Sequence, residues 1–213
     1  MLQVKSMVVG IVGTNCYIVY DKKSRDAVII DPGAEAERIL SYLEEEELHP
    51  QAILLTHGHF DHILAVPTLR EKYKIPLYAA EEERKMLGNG QLNMSGRDPE
   101  DNVEIQDFTA LRDGDELELL GKKWKVLSTP GHTGGSICFF VEGEVPYLFS
   151  GDTLFCESYG RTDLYSGNEK EIIRSIREKL FTLPEETLVF PGHEESTTIR
   201  NEKSYNPVNF FRE

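Results

Sequence analysis

Three of the chain's six histidines fall within six residues, His57–His62 in "HGHFDH", directly behind the apolar run "QAILLT". A run that short and that apolar reads as a buried strand, so the cluster sits where a strand ends and the chain turns toward a helix. In extended backbone, residues two apart share a face, so His57 and His59 aim at one point; Asp61 and His62, just beyond, aim at a neighbouring one. Two imidazoles for one ion, with a carboxylate and an imidazole for another, make a two-metal arrangement of borderline ligands. The bland alternative is three unrelated histidines, exposed or capping. The rest of the chain weighs against it. His132 in "STPGHTGGS" and His193 in "FPGHE" lie on Pro-Gly turns after strands, and Asp152 in "FSGDTLF" closes an apolar strand. A carboxylate placed there is costly to bury unless positive charge meets it. Loops at the ends of rigid strands are where such sites are assembled. Only His49, ahead of Pro50 at a helix end, is left over, and it reads as surface structure.

Strand-like and helical patterns alternate along all 213 residues. "QVKSMVVG", "NCYIVYD" and "DAVIID" read as a small meander. In "DPGAEAERILSYLEEEELHP" the apolar positions Ala36, Ile39, Leu40 and Leu43 recur at helical spacing. "ILAVPTLREKYK" is helical, with Pro67 in its first turn, followed by a strand "IPLYAA" and a helix "EEERKML". Residues 88–110 have little periodicity and many turn formers, which marks an irregular insertion, a mobile loop or a lid. "DELELLGKKWKVLSTPGH" and "GSICFFVEGEVPYLFSGD" each read as a pair of strands. "NEKEIIRSIREKLFTL" is an amphipathic helix, and "TLVFPGHE" a last buried strand. The glutamate runs 44–47 and 81–83 read as solvated helix faces. This mixture suits two sheets packed together with helices outside, in a single domain over 1–213.

Composition narrows the function classes. Hydrophobic residues make up 39% and charged residues 28%, an ordinary globular balance, and the net charge of −14 disfavours a nucleic-acid partner. Apolar runs such as "ICFFV" fall far short of the roughly 20 residues of a membrane span. The N-terminus lacks a secretory cleavage pattern. Cys16, Cys138 and Cys156 are odd in number and widely spaced, which fits reduced thiols and a cytoplasmic protein. The expected partner is a small molecule; oligomeric state is not fixed by the sequence.

The set "THGHFDH", "PGHTGGS", "SGDTLF" and "FPGHE", in that order, resembles the metallo-β-lactamase superfamily, and within it the short glyoxalase II-like (hydroxyacylglutathione hydrolase-like) metallohydrolases. The resemblance implies an α+β fold, a four-layer αββα sandwich. It implies that His57, His59 and His132 hold one divalent metal ion, that Asp61, His62 and His193 hold a second, and that Asp152 bridges them. Zinc is the default metal, with iron and manganese as alternatives. Thioester hydrolysis follows, with S-lactoylglutathione as the model substrate. A hydroxide shared by the ions would be the nucleophile, Asp61 would orient it, and Asp152 would be essential to the pair.

Asp152 stands where one class of β-lactamases carries cysteine, which speaks against antibiotic hydrolysis. His59 stands where flavodiiron proteins carry glutamate. Longer glyoxalase II enzymes add a helical C-terminal domain that helps hold glutathione, whereas this chain runs only about 20 residues past His193, so no such domain is expected. "GRTD" resembles a stretch shared by the glyoxalase II-like and persulfide dioxygenase groups. Arg161 and Asp163 are expected there as buried structural partners, and Thr56 as a support for the histidine loop. Tyr159 and Tyr165 are read as pocket lining or core, and Cys156 as core. Alternatives within the fold are a lactonase, a phosphoester hydrolase, or a mononuclear iron persulfide dioxygenase using His57, His132 and Asp152. A binding module without turnover would be expected to have lost a ligand, and all seven positions are filled.

Overall fold

The computed structural model of the protein describes residues 2–99 and 101–211. The chain divides into two compact units, one of residues up to 111 with 119–121, the other of 112–118 with the residues from 122 onward.

The first unit is built on one six-stranded sheet with strands in sequence order: β1 (Leu2–Val9), β2 (Thr14–Asp21), β3 (Asp26–Ile30), β4 (His49–Leu54), β5 (Leu77–Ala80) and β6 (Thr109–Leu111). The first three pair antiparallel through short turns, the expected meander. From β3 onward the pairs are parallel, and a parallel pair needs a crossover long enough to carry a helix. Helix α1 (Ala36–Glu45) supplies the first crossover, α2 (Phe60–Ile63) and α3 (Val66–Tyr73) the second, and α4 (Arg84–Leu87) lies in the third. Ile39 and Leu43 of α1 are fully buried in one cluster with Ile18, Ile29 and Ile53 of the sheet. Each such side chain contributes about 1.5–3 kcal/mol relative to exposure. Consecutive residues Cys16–Val19 and Val28–Ile30 are all buried, which is why β2 and β3 read as unbroken apolar runs rather than alternating ones.

In the second unit β7 (Glu116–Leu119), β8 (Lys122–Ser128), β9 (Ile137–Val141) and β10 (Tyr147–Gly151) are followed by a two-residue hairpin of β11 (Leu154–Phe155) and β12 (Ser158–Tyr159). Helix α5 (Glu169–Glu178), β13 (Leu188–Pro191), β14 (Thr197–Thr198) and α6 (Ile199–Tyr205) complete it. The sheet order is β14-β13-β10-β9-β8-β7, antiparallel at β8–β9–β10 and parallel at β10–β13. Asn168 caps α5, its side-chain oxygen accepting the N–H groups of Lys170 and Glu171. Ile172 and Ile176 pack with Leu148, Val189 and Ile199.

Two readings need correction. His49 opens β4 rather than closing a helix, although it is exposed as expected for surface structure. The run 81–83 is not a uniformly solvated face, because Glu83 is buried, at 1% exposure. Residues 88–99 and 101–108 are irregular, as the insertion reading expected, and they are bonded into the first unit. The Asn93 carbonyl accepts the Phe60 N–H at 2.8 Å, and the Asn93 side chain donates to the Val103 carbonyl at 2.9 Å. Ile105 is buried in the core cluster beside Leu87.

Candidate metal centre

Behind β4 the chain turns at Thr56 and presents His57, His59 and His62, all at 2% exposure or less. The His57 ring centroid lies 4.8 Å from that of His59 and 4.1 Å from that of His62. Asp31, just past β3, organises this turn. Its Oδ1 accepts the Thr56 N–H at 2.8 Å, and its Oδ2 accepts the Thr56 hydroxyl at 2.6 Å and stands 3.0 Å from His62 Nδ1. The Thr56 hydroxyl has one proton, already given to Asp31, so at 3.2 Å from His57 Nδ1 it acts as acceptor. His57 therefore carries a proton on Nδ1, while His62 sets Nδ1 toward Asp31 Oδ2 and Nε2 toward Asp61 Oδ2. Asp61 accepts the Thr14 hydroxyl at 2.9 Å, and its Oδ2 lies 3.5 Å from His62 Nε2.

The second unit repeats the pattern. Parallel pairing of β10 with β13 sets Gly151 opposite Pro191, and the Gly192 N–H donates to the Gly151 carbonyl at 2.8 Å. That register brings Asp152 and His193, just past the two strand ends, side by side: His193 Nε2 is 3.5 Å from Asp152 Oδ2. His132 Nε2 is also 3.5 Å from the same oxygen. His132 Nδ1 donates to the Arg161 carbonyl at 2.7 Å, which leaves Nε2 as the lone-pair nitrogen. Gly160 makes this approach feasible, since a Cβ there would fall 1.9 Å from the Asp152 carbonyl oxygen and 3.1 Å from His132 Nδ1.

The donor set fits a divalent ion. An imidazole lone pair and a carboxylate oxygen are both acceptors, so aiming them at each other without a cation is unfavourable. Two donors on a tetrahedral zinc, each about 2.0–2.1 Å from it, stand about 3.4 Å apart. The observed separations of 3.5 Å for His62–Asp61, His132–Asp152 and His193–Asp152 match that spacing.

The first unit thus brings together His57, His59, Asp61 and His62, and the second His132, Asp152 and His193. Thr56 supports the loop as expected. Arg161 and Asp163 do pair, through two bonds of 2.7 and 2.8 Å, but both side chains are exposed rather than buried. The part of Arg161 that reaches the site is its backbone carbonyl. Tyr159 is half-buried beside Phe211, and Tyr165 is exposed. Burial pushes the Cys156 thiol above its ordinary range, so it is not an activated thiolate. Asp31, Thr14 and Glu83 were not singled out from the sequence. For Asp31 a signal existed, since it closes the apolar run "AVIID" just as Asp152 closes "YLFSGD".

Helix-bearing sheets with imidazole–carboxylate sets at their strand ends make a candidate metal-dependent enzyme, and comparison with known proteins gives its class. Residues 9–193 match the family model described as the metallo-beta-lactamase superfamily, and the chain belongs to that superfamily. It is 41% identical over 204 residues to "Probable metallo-hydrolase YqgX" of Bacillus subtilis, covering 95% of each chain. It is 37% identical over 195 residues to hydroxyacylglutathione hydrolase GloC of Haemophilus influenzae, covering 91% of each. Among solved structures it matches BLEG-1, a B3 metallo-beta-lactamase, with a TM-score of 0.90 and 40% identity over 96% of this chain and 98% of that one. It also matches TTHA1623 in a di-iron-bound form, with a TM-score of 0.83 and 33% identity over 96% and 99%. The expected fold class is met: the chain has the metallo-β-lactamase fold. Among the described residues no helix is long and apolar enough to cross a membrane.

Proposed function

We propose that the protein is a dinuclear metal-dependent thioester hydrolase acting on small substrates of the S-lactoylglutathione kind. The observation that carries this reading is the set of Nε2–carboxylate pairs at 3.5 Å, in one of which His132 holds its proton on Nδ1 against the Arg161 carbonyl. The family resemblance assigns His57, His59 and His132 to one divalent ion and Asp61, His62 and His193 to another, and these residues, with Asp152 shared, would hold them. Divalent ions held by these residues would supply an activated water at neutral pH and an electrophile for the substrate carbonyl. Thr14, bonded to Asp61 Oδ2, fixes the carboxylate that orients the nucleophile. The Arg161 carbonyl keeps His132 in the ligating tautomer, and Asp31 stands 3.0 Å behind the His62 ring. A thiolate leaves readily, with a free thiol pKa of about 8.5, so the residues need supply no dedicated acid. Beside Asp61, Ile11, Val12, Phe60 and Leu64 line a cavity of about 200 Å³, room for a small, partly apolar acyl group. The likeness to GloC supports the thioester class. Zinc remains the default ion; the iron in TTHA1623 belongs to that protein.

One observation favours a second reading. The 40% identity to BLEG-1 keeps β-lactam hydrolysis open, so the Asp152 argument against it does not extend to every lactamase. The test is a side-by-side assay of metal-replete protein on S-D-lactoylglutathione and on a chromogenic β-lactam. The proposal expects turnover of the thioester, lost in His59→Ala. Turnover of the β-lactam alone would replace it with the second reading.

A further inference from the structure

We propose that the buried Glu83 is a positioning residue for the metal centre, its carboxylate holding the His57–Gly58–His59 turn so that both imidazoles keep their aim. The proposal rests on the metal-centre reading above. Glu83 ends the 3-10 turn Glu81–Glu83 behind β5 and is 1% exposed, whereas Glu82 beside it is exposed. Its Oε2 accepts the Gly58 N–H at 2.7 Å, a buried bond between groups 25 residues apart.

A carboxylate is kept in such a place only where donors meet it. The amide it takes belongs to the residue between two ligands. β4 stops at Leu54, so the strand ladder does not reach Gly58, and the carboxylate supplies the anchor there. The fit is close: a Cβ on Gly58 would stand 2.9 Å from Glu83 Oε2 and 3.2 Å from the buried Leu87 side chain. The turn therefore rests directly on this carboxylate and on α4. Groups that orient ligands from behind typically change metal affinity 10- to 100-fold when lost, and Glu83 does so through backbone rather than through an imidazole nitrogen.

The test is Zn2+ affinity of the full chain, measured by competition with a chromogenic chelator, alongside the melting temperature of the metal-free protein. Glu83→Leu is expected to weaken zinc binding about 10- to 100-fold. Glu83→Gln, whose amide oxygen still accepts the Gly58 N–H, is expected to keep most of the affinity. A folded Glu83→Leu with wild-type affinity overturns the proposal. So does a Glu83→Gln that loses as much as Glu83→Leu, because charge and not the hydrogen bond would then be at work. If Glu83→Leu does not fold, Gly58→Ala decides: weakened binding supports the proposal and unchanged binding overturns it. A wild-type protein that binds no zinc, iron or manganese would instead overturn the metal-centre reading itself.

Discussion

Asp31 and Asp152 both close a buried strand, and each places a carboxylate oxygen 3.0–3.5 Å from an imidazole nitrogen. They differ in which nitrogen they meet, and this separates their roles. Asp152 faces Nε2, the ligand side, so Asp152→Ala should lower metal content and abolish hydrolysis together; full activity in that variant would refute its assignment. Asp31 faces Nδ1, behind the ligand, so Asp31→Ala should weaken metal binding about 10- to 100-fold without removing a ligand, which a zinc titration would register. Arg161 acts through its carbonyl, so Arg161→Met should leave zinc affinity unchanged. Its exposed pairing with Asp163 holds that carboxyl down at about 2. The folded value lies below the ordinary 3.8, so whatever the pair contributes is present above that range and lost as pH falls through about 2. The residues proposed as ligands stood out in the sequence because histidine is scarce in it and clustered. Asp31 was hidden because "DPG" before a helix already has an ordinary explanation, and Glu83 because one buried glutamate in "EEE" looks like its solvated neighbours. For Arg161, no sequence pattern says which atom of a residue does the work.

At the scale of elements, most strands and helices of five or more residues were readable from apolar spacing, α6 being the exception. Short pieces such as β11, β12 and β14, two residues each, carry too few positions for any period to show. Helix α6 was missed for another reason: polar bonding holds much of it in place. Glu202 is fully buried, accepting from the Thr197 hydroxyl and the Asn206 amide, each at 2.7 Å, and from the Glu157 N–H at 3.0 Å. In sequence, that network is indistinguishable from a solvated tail. Helix α5, by contrast, is specified twice, by its cap and by its apolar face. Asn168→Ala should cost about 0.5–2 kcal/mol and Ile176→Ala about 2–5 kcal/mol, read from denaturant midpoints. In metal-replete protein the first should retain full metal content, since the cap touches no ligand.

For the whole molecule, the net charge of −14 and the neutral-to-acidic character of the ligand set point the same way. A small substrate and cations, rather than nucleic acid or a membrane surface, are the partners we propose. Metal and folding are then linked: ligand at 100 times its Kd stabilises the native state by about 2.7 kcal/mol, so stripping the metal should lower the melting temperature and restoring it should reverse the change. The most direct measurement is hydrolysis of S-D-lactoylglutathione, followed as loss of thioester absorbance, by one preparation before chelation, after chelation and after zinc is returned. The prediction is turnover that disappears on chelation and returns with about two zinc ions bound per chain, the count set by the proposed seven-ligand centre. Turnover indifferent to chelation would contradict metal-dependent catalysis, and no turnover with two zinc ions bound would contradict the thioester assignment.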